Sequence, residues 1–347
     1  MPTIRDVARA AGVSTATVSA VLNDTAFVSP ALRQRVEAAV AKLGYAPHSI
    51  ARSLKRGRTQ LLGLMIPDIT NPFFTELVHV VEVAAHRAGY GVLLCDSGQD
   101  PAKERSYLQL MRSHRVDGLV LCPVGDGGLA EPARAGGMPL VMVDRLVPGL
   151  EADVVLMDNY AAGLAATRHL VNLGHRRIGA VAGPAGLEPA DERLRGFREA
   201  LALRGLAVRD GDIRHGNFEE EGAYLASLEL LGGTSRPTAL FVANNHMLIG
   251  VMRAVANLAM SCPADISVAA VDDFPWANAF TPRLTTVRQP VAAMGETALR
   301  LLLERLAGGD GPPRRIVLPA ELVIRDSVRQ LNPAEVHRLG PARTASP

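Results

Sequence analysis

The 347-residue chain is too long for one ordinary domain, and with 48% apolar residues it can bury the cores of two or three folding units. Its formal net charge of +2 is unevenly distributed, because residues 1–60 hold nine basic and three acidic residues whereas residues 61–347 hold 28 and 32, which indicates a basic head with an anionic partner. Three isolated cysteines, no apolar leader and no run of roughly 18 apolar residues argue against a metal site, a disulfide framework and a membrane partner, so we expect a cytoplasmic protein.

Two short helices are predicted at the start of the chain. Thr3 is a candidate N-cap, and apolar residues follow at helical spacing until Gly12. Ser14 can cap a second helix that runs to about Asn23, after a turn of only three residues. Two short helices across a tight glycine turn predict a helix-turn-helix.

A third helix and a linker follow. The helix opens at Pro30, carries one apolar stripe and ends before Gly44. Residues 46–60 contain four basic side chains but too little apolar surface to pack alone, which predicts a linker with a marginal helix. The predicted divisions are a helix-turn-helix domain at 1–46, a hinge helix and linker at 47–60, a core at 61–332 and a disordered tail at 333–347.

The core alternates short apolar strands with amphipathic helices. The predicted strands are 61–66, 90–95, 118–124, 139–144, 154–157, 177–182, 213–215, 238–243 and 267–271. The clearest predicted helices are 72–88 capped by Asn71, 101–113 capped by Asp100, and 160–173 closed by Gly174. Continuous apolar strands separated by helices are typical of parallel sheets covered on both faces.

Nine strands exceed one comfortable sheet, so we predict two doubly wound parallel-sheet lobes. The first lobe is expected at 61–159 plus 290–319, and the second at 160–289 plus 320–332. Ligands of such sheets bind at the carboxyl ends of the strands, which here means the cleft between the lobes.

An enzyme is the main alternative to a binding protein, and its catalytic motifs should be visible in the sequence. The core has no phosphate loop, nucleophile elbow or zinc-protease helix, and its glycine clusters lack the dinucleotide fingerprint. His79 and Glu82 can share a helix face, but such a lone pair is more often solvated. We therefore expect no catalysis, no cofactor and no metal.

A long ordered match relates the chain to a known family. Residues 3–23 read TIRDVARAAGVSTATVSAVLN, which closely resembles the N-terminal signature of the lactose-repressor (LacI/GalR) family of bacterial transcription regulators. The similarity returns in LGYAP at 43–47, IPDITNPFF at 66–74, LGHRRIG at 173–179 and RLRGF at 193–197, and it ends near 324–327. The resemblance implies an α/β core of the type I periplasmic-binding-protein kind behind a small all-α helix-turn-helix domain.

The resemblance also implies which residues meet double-stranded DNA. The second helix is expected in the major groove, where its first residues reach base edges. Residues assigned to base readout are Thr15, Ala16 and Ala20. Residues assigned to backbone phosphates are Thr17, Ser19, Asn23 and Tyr45, for which capping or solvation is the alternative. Residues assigned to the minor groove are Ala51, Leu54 and Lys55, with Leu54 as the wedge that kinks the duplex.

In the core, the resemblance points to a small-molecule effector between the lobes, a sugar or related compound. Residues assigned to the effector are Phe73, Phe74, Arg193, Phe218, Asn244 and Asp272. Core packing is the alternative for one of the two adjacent phenylalanines. Arg193 and Asp272 are expected on opposite walls, where they can bind adjacent hydroxyls, and a structural ion pair is the alternative for them. Asn245 replaces a frequent family aspartate, which weakens a straightforward sugar assignment.

The family resemblance predicts a homodimer that binds a pseudo-palindromic operator and represses transcription. Residues 331–347 lack the leucine heptads of the family's tetramers, which favours a dimer. A periplasmic binding protein would share the core, but the basic head and the missing export signal argue against it. Whether the effector releases or promotes DNA binding is left open.

Overall fold

A computed structural model of the chain describes residues 2–24, 26–45, 58–125, 128–134, 137–233 and 236–332. The chain forms two compact units, Met1–Gln60 and Leu61–Pro347. The expected minor-groove residues and the expected tail lie outside the described residues.

The described part of the first unit contains three short helices, α1 (Ile4–Ala11), α2 (Thr15–Asn23) and α3 (Pro30–Leu43). Both predicted N-caps are confirmed. Thr3 and Asp6 form a reciprocal capping box, and the Ser14 hydroxyl accepts the Thr17 N–H at 3.0 Å. The residues buried between the helices are Val7, Ala8, Ala11, Val18, Val21, Val36, Ala39 and Tyr45.

A glycine and an arginine fix the turn between α1 and α2. Gly12 has a φ of 62°, a left-handed conformation that ends α1. A guanidinium nitrogen of Arg35 on α3 donates to the Ala11 carbonyl at 2.6 Å, where a side chain at position 12 would collide with it. The third helix thereby satisfies a carbonyl at the end of the first.

Strands and helices alternate through the described part of the second unit. The strands are β1 (Leu61–Ile66), β2 (Gly91–Asp96), β3 (Gly118–Leu121), β4 (Leu140–Val143), β5 (Asp153–Met157), β6 (Ile178–Ala182), β7 (Ile213–His215), β8 (Ala239–Val242), β9 (Ser267–Val271), β10 (Thr285–Arg288), β11 (Arg315–Leu318) and β12 (Glu321–Val323). The helices are α4 (Pro72–Arg87), α5 (Pro101–Ser113), α6 (Ala130–Arg134), α7 (Asn159–Asn172), α8 (Glu188–Ala202), α9 (Glu220–Leu231), α10 (Asn245–Asn257) and α11 (Val291–Leu306).

These strands form two six-stranded sheets, which confirms the predicted two-lobed α/β fold. The first sheet has the order β11-β5-β4-β3-β1-β2 and is parallel throughout. The second has the order β12-β10-β9-β8-β6-β7 and is parallel except for β12, which runs antiparallel to β10. Within the described residues, the chain passes between the lobes three times, after β5, β10 and β11.

All nine predicted strands are present, but the prediction omitted β10, β11 and β12. In β10 the polar residues Thr285 and Thr286 are buried because their hydroxyls bond to the Arg325 N–H and to Asp273. The other two strands are short edge strands with partly exposed side chains, so they lack the apolar run that marks a central strand. Among the residues described, no helix is both long and apolar enough to cross a membrane.

Candidate functional site

The second helix of the first unit presents one side to the core and another to solvent. Val18 and Val21 are buried. Thr15 and Ala16 are exposed and Ala20 is half-buried, so the three residues predicted to read bases lie away from the small core. Their exposure leaves this part of α2 available to a partner.

The predicted phosphate contacts lie in different surroundings. The Thr17 hydroxyl is 2.9 Å from that of Ser14, at the start of α2. Ser19 is half-buried, and Asn23 is the last residue of the helix. The Tyr45 side chain is buried in the three-helix core, so it also has a packing role that the resemblance did not indicate.

A cleft of about 810 Å³ separates the two lobes at the carboxyl ends of their strands. Its first-lobe wall includes Asp68, Thr70, Gln99, Val124, Arg145 and Leu146, and its second-lobe wall includes Leu187, Glu188, Asn217, Phe218, Glu219 and His246. The volume lies within the range of small-molecule sites.

Phe218 is the predicted effector residue that lines this cleft. Its ring packs on Gly183, where an added Cβ would come within 2.4 Å of the aromatic carbons. The Arg193 guanidinium lies 5.9 Å from the ring centroid. Glycine on one side and a cation nearby therefore hold a flat aromatic surface in the cleft wall.

Sequence reasoning missed Arg145 and Glu188, two charged residues that line the first-lobe wall and the second-lobe wall of the cleft. Arg145 is buried, and its Nε lies 3.3 Å from the carboxylate of Asp144. In Glu188, Oε2 is buried without a hydrogen-bond partner among the described residues, and the nearest cation is Arg315 at 3.9 Å. Their positions in the sequence could have indicated this site, because Arg145 closely follows β4 and Glu188 begins the helix after β6.

Burial shifts the pKa of two carboxyls near this cleft, Glu188 and Asp144. Burial raises the pKa of Glu188, and the neighbouring carboxylate of Asp144 raises it further. Burial likewise raises the pKa of Asp144, although the attraction of Arg145 opposes this shift. Glu188 thus brings a half-buried carboxyl to the cleft wall, which suits a ligand that donates a hydrogen bond.

Arg193 and Asp272 were expected on opposite walls, and this expectation was wrong. Both belong to the second lobe, where they form a buried ion pair with 3.2 Å between Nη1 and Oδ2. Arg193 also donates to Asn159 at 2.8 Å and to the Ala243 carbonyl at 2.7 Å. The pair forms because Arg193 on α8 reaches over the carboxyl ends of β8 and β9, and Asp272 directly follows β9.

The remaining predicted effector residues lie deeper. Phe73 and Phe74 are buried and contact each other edge to face at 4.8 Å. Phe73 and Asp272 line a second, smaller cavity of about 220 Å³. Asn244 caps α10 by accepting the Met247 N–H at 2.9 Å, so its carbonyl oxygen already has a backbone partner.

Comparisons with known families give matches in both units. A family model described as bacterial regulatory proteins of the lacI family matches residues 3–48. A model described as a periplasmic binding protein-like domain matches residues 167–328.

Full-length relatives and solved structures agree with these matches. The HTH-type transcriptional repressor PurR of Photobacterium profundum is 39% identical over 96% of this chain and 100% of its own length. The corresponding repressor of Vibrio vulnificus is 37% identical with the same coverage. Among solved structures, the lac repressor dimer bound to operator and the anti-inducer ONPF has a TM-score of 0.85 at 28% identity, covering 94% of this chain and 99% of that one. The complex of the transcriptional regulator CelR with cellobiose has a TM-score of 0.73 at 32% identity, covering 94% and 100%.

Proposed function

Because the chain belongs to the lacI family of bacterial regulatory proteins, its function is transcriptional regulation, and we propose which residues perform its two binding tasks. Helix α2 reads the operator, and the interlobe cleft binds the small molecule that controls operator affinity. The observation that carries the second assignment is the 810 Å³ cleft at the carboxyl ends of both sheets.

For DNA, we propose that Thr15, Ala16 and Ala20 contact base edges, with Thr17, Ser19, Asn23 and Tyr45 on the phosphates. The exposure of Thr15 and Ala16 supports the first group. Because two of the three base-reading side chains are alanines, methyl contacts with thymine and DNA shape carry much of the discrimination. Ala51, Leu54 and Lys55 are proposed for the minor groove on family resemblance alone.

For the effector, we propose a site in the cleft with Phe218 as the stacking surface and Glu188 and Arg145 as polar walls. A sugar or a related hydroxyl-rich compound is the proposed class, since CelR was solved with cellobiose. A second layer of residues lies behind this cleft wall in the proposed site: Arg193, Asp272, Asn244, Phe73 and Phe74. A ligand reaches Arg193 or Asp272 only by sharing or displacing their mutual contact.

We propose that the protein acts as a homodimer on a two-fold operator in the cytoplasm. The lac repressor relative was solved as a dimer on its operator, which supports paired heads on two half-sites.

A mobility-shift titration with the DNA upstream of the protein's own gene tests the DNA assignment. The unmodified dimer should shift this fragment and leave a scrambled fragment of equal length unbound at the same concentration. Thr15→Ala should weaken the shift by roughly tenfold through a lost base contact, whereas Glu37→Gln on the exposed surface of α3 should not weaken it. Equal binding to both fragments would contradict sequence-specific recognition.

A thermal-shift screen over sugars, nucleosides and carboxylates tests the effector assignment. A ligand at 100 times its Kd should stabilise the core by about 2.7 kcal/mol. Phe218→Ala should abolish the shift caused by a hit, and an unchanged shift in that variant would place the ligand elsewhere.

A further inference from the structure

Two helices, one from each lobe, meet first turn to first turn. Asn71 caps α4 in the first lobe, and Asn245 is the first residue of α10 in the second. Both side chains are buried, and Nδ2 of Asn245 donates to Oδ1 of Asn71 at 3.0 Å. This hydrogen bond joins the lobes directly, beside the large cleft.

Backbone groups fix the direction of this bond. Oδ1 of Asn71 also accepts the Phe73 N–H at 3.0 Å, and Oδ1 of Asn245 accepts the His246 N–H at 2.8 Å. Flipping either side-chain amide would turn its NH2 group towards a backbone N–H, donor against donor. Position 245 is therefore required to donate and position 71 to accept.

We propose that Asn245 is an interlobe latch and a positioning residue for α4, not an effector ligand. The term interlobe latch denotes the Asn245–Asn71 hydrogen bond. Because Asn71 also caps the turn that carries Phe73, the latch transmits the position of α10 to the aromatic residue at the smaller cavity.

This role explains why an amide occupies position 245. An aspartate there could still accept the His246 N–H, but its second oxygen would face Oδ1 of Asn71, with two buried acceptors in contact. An outer contact accompanies the latch, since Nδ1 of His246 lies 3.8 Å from the Asp68 carboxylate at the cleft wall. The latch requires neither the proposed DNA contacts nor the proposed effector site.

Hydrogen–deuterium exchange on the full-length protein, without any ligand, tests the latch. Asn245→Asp changes almost no volume but removes the donor, so the backbone amides of residues 73–76 should exchange roughly tenfold faster than in the unmodified chain. Asn71→Asp is the matched control. It keeps an acceptor for both donors and adds a charge that the helix N-terminus favours, so its exchange should stay slow.

Small-angle X-ray scattering of the same samples gives a second measurement. Asn245→Asp should increase the radius of gyration of the dimer, and Asn71→Asp should not. Unchanged exchange and radius in Asn245→Asp, or equal acceleration in both variants, would overturn the proposal. If Asn245→Asp fails to fold by circular dichroism, Asn245→Ala replaces it, with the same result expected and the same outcomes decisive.

Discussion

Arg193, a predicted effector residue, makes contacts that stabilise the fold of the second lobe. Its guanidinium donates to a side-chain amide, a backbone carbonyl and the Asp272 carboxylate, all inside the second lobe. Asp272 in turn accepts from Gln289. A buried carboxylate with these partners depends on its arginine, so a purely ligand-binding role for Arg193 does not fit the contacts.

Arg193→Ala should therefore lower the free energy of unfolding by about 3–5 kcal/mol, because it leaves Asp272 buried without its cation. Urea denaturation followed by circular dichroism measures the change. The matched control is Arg300→Ala, which removes an exposed pair with Glu304 and should leave the midpoint nearly unchanged. Equal urea midpoints for the two variants would show that Arg193 does not stabilise the fold and would favour a purely ligand-binding role.

Glu188→Gln should stabilise the ligand-free protein at neutral pH. Burial raises the pKa of Glu188, so the folded state favours the protonated carboxyl, and ionisation costs stability once the pH exceeds the unfolded pKa of about 4.3. The neutral amide avoids this cost. Thermal melts should show a higher midpoint for the variant at pH 7.5 and the same midpoint as the unmodified chain near pH 4.

A cleft ligand that donates a hydrogen bond to Glu188 should make the unmodified protein more stable than the Glu188→Gln variant. The variant would then bind a hit from the screen more weakly by calorimetry. Identical midpoints for both proteins at every pH would show that Glu188 is solvated.

At the scale of elements, features that depend on neighbouring residues could be predicted from the sequence, whereas features that depend on long-range contacts could not. The caps at Ser14, Asn71 and Asp100 were identified because a cap depends only on its own helix. Strand β10 was missed because neighbours from other parts of the chain stabilise its polar residues, and β11 and β12 were missed because they are short, partly exposed edge strands. The wall on which Arg193 lies depends on how its helix packs across the sheet, which its sequence position does not reveal.

One carboxylate ties three elements of the first lobe together. Asp153 at the start of β5 accepts from Arg305 on α11 and from Arg314 next to β11. Burial alone would raise the pKa of Asp153, but hydrogen bonds from both arginines hold it well below its usual range. This contribution to stability is complete above the unfolded pKa of about 3.9 and is lost as the pH falls below it.

Asp153→Asn should lower the free energy of unfolding at pH 7 by roughly 3 kcal/mol and flatten the acid limb of the stability curve below pH 4. Denaturant titrations across pH 2 to 7 measure both effects. Glu296→Gln, which neutralises an exposed carboxyl on α11 of the same lobe, should preserve the shape of the curve. An unaltered acid limb in Asp153→Asn would show that this cluster does not hold the lobe together.

At the scale of the whole molecule, the uneven charge determines how DNA binding responds to salt. Residues 1–60 carry a net charge of +6, and a dimer presents two such heads. Counterion release then predicts a log–log slope of about −5 to −10 for operator affinity against salt concentration. Fluorescence anisotropy from 50 to 200 mM salt measures the slope, and a value near zero would argue against phosphate contacts.

The three passages of the chain between the lobes also set an order of assembly during synthesis. Strands β1 to β5 leave the ribosome early, but α11, which packs on β3, β4 and β5, is made only after β10. The sixth strand of each sheet follows later still, with β11 and β12 separated by two residues. The nascent first lobe must therefore wait with an apolar face uncovered, a state that favours chaperone capture. Since the last two strands complete both sheets almost together, neither sheet has all its strands until the end of the core has been made.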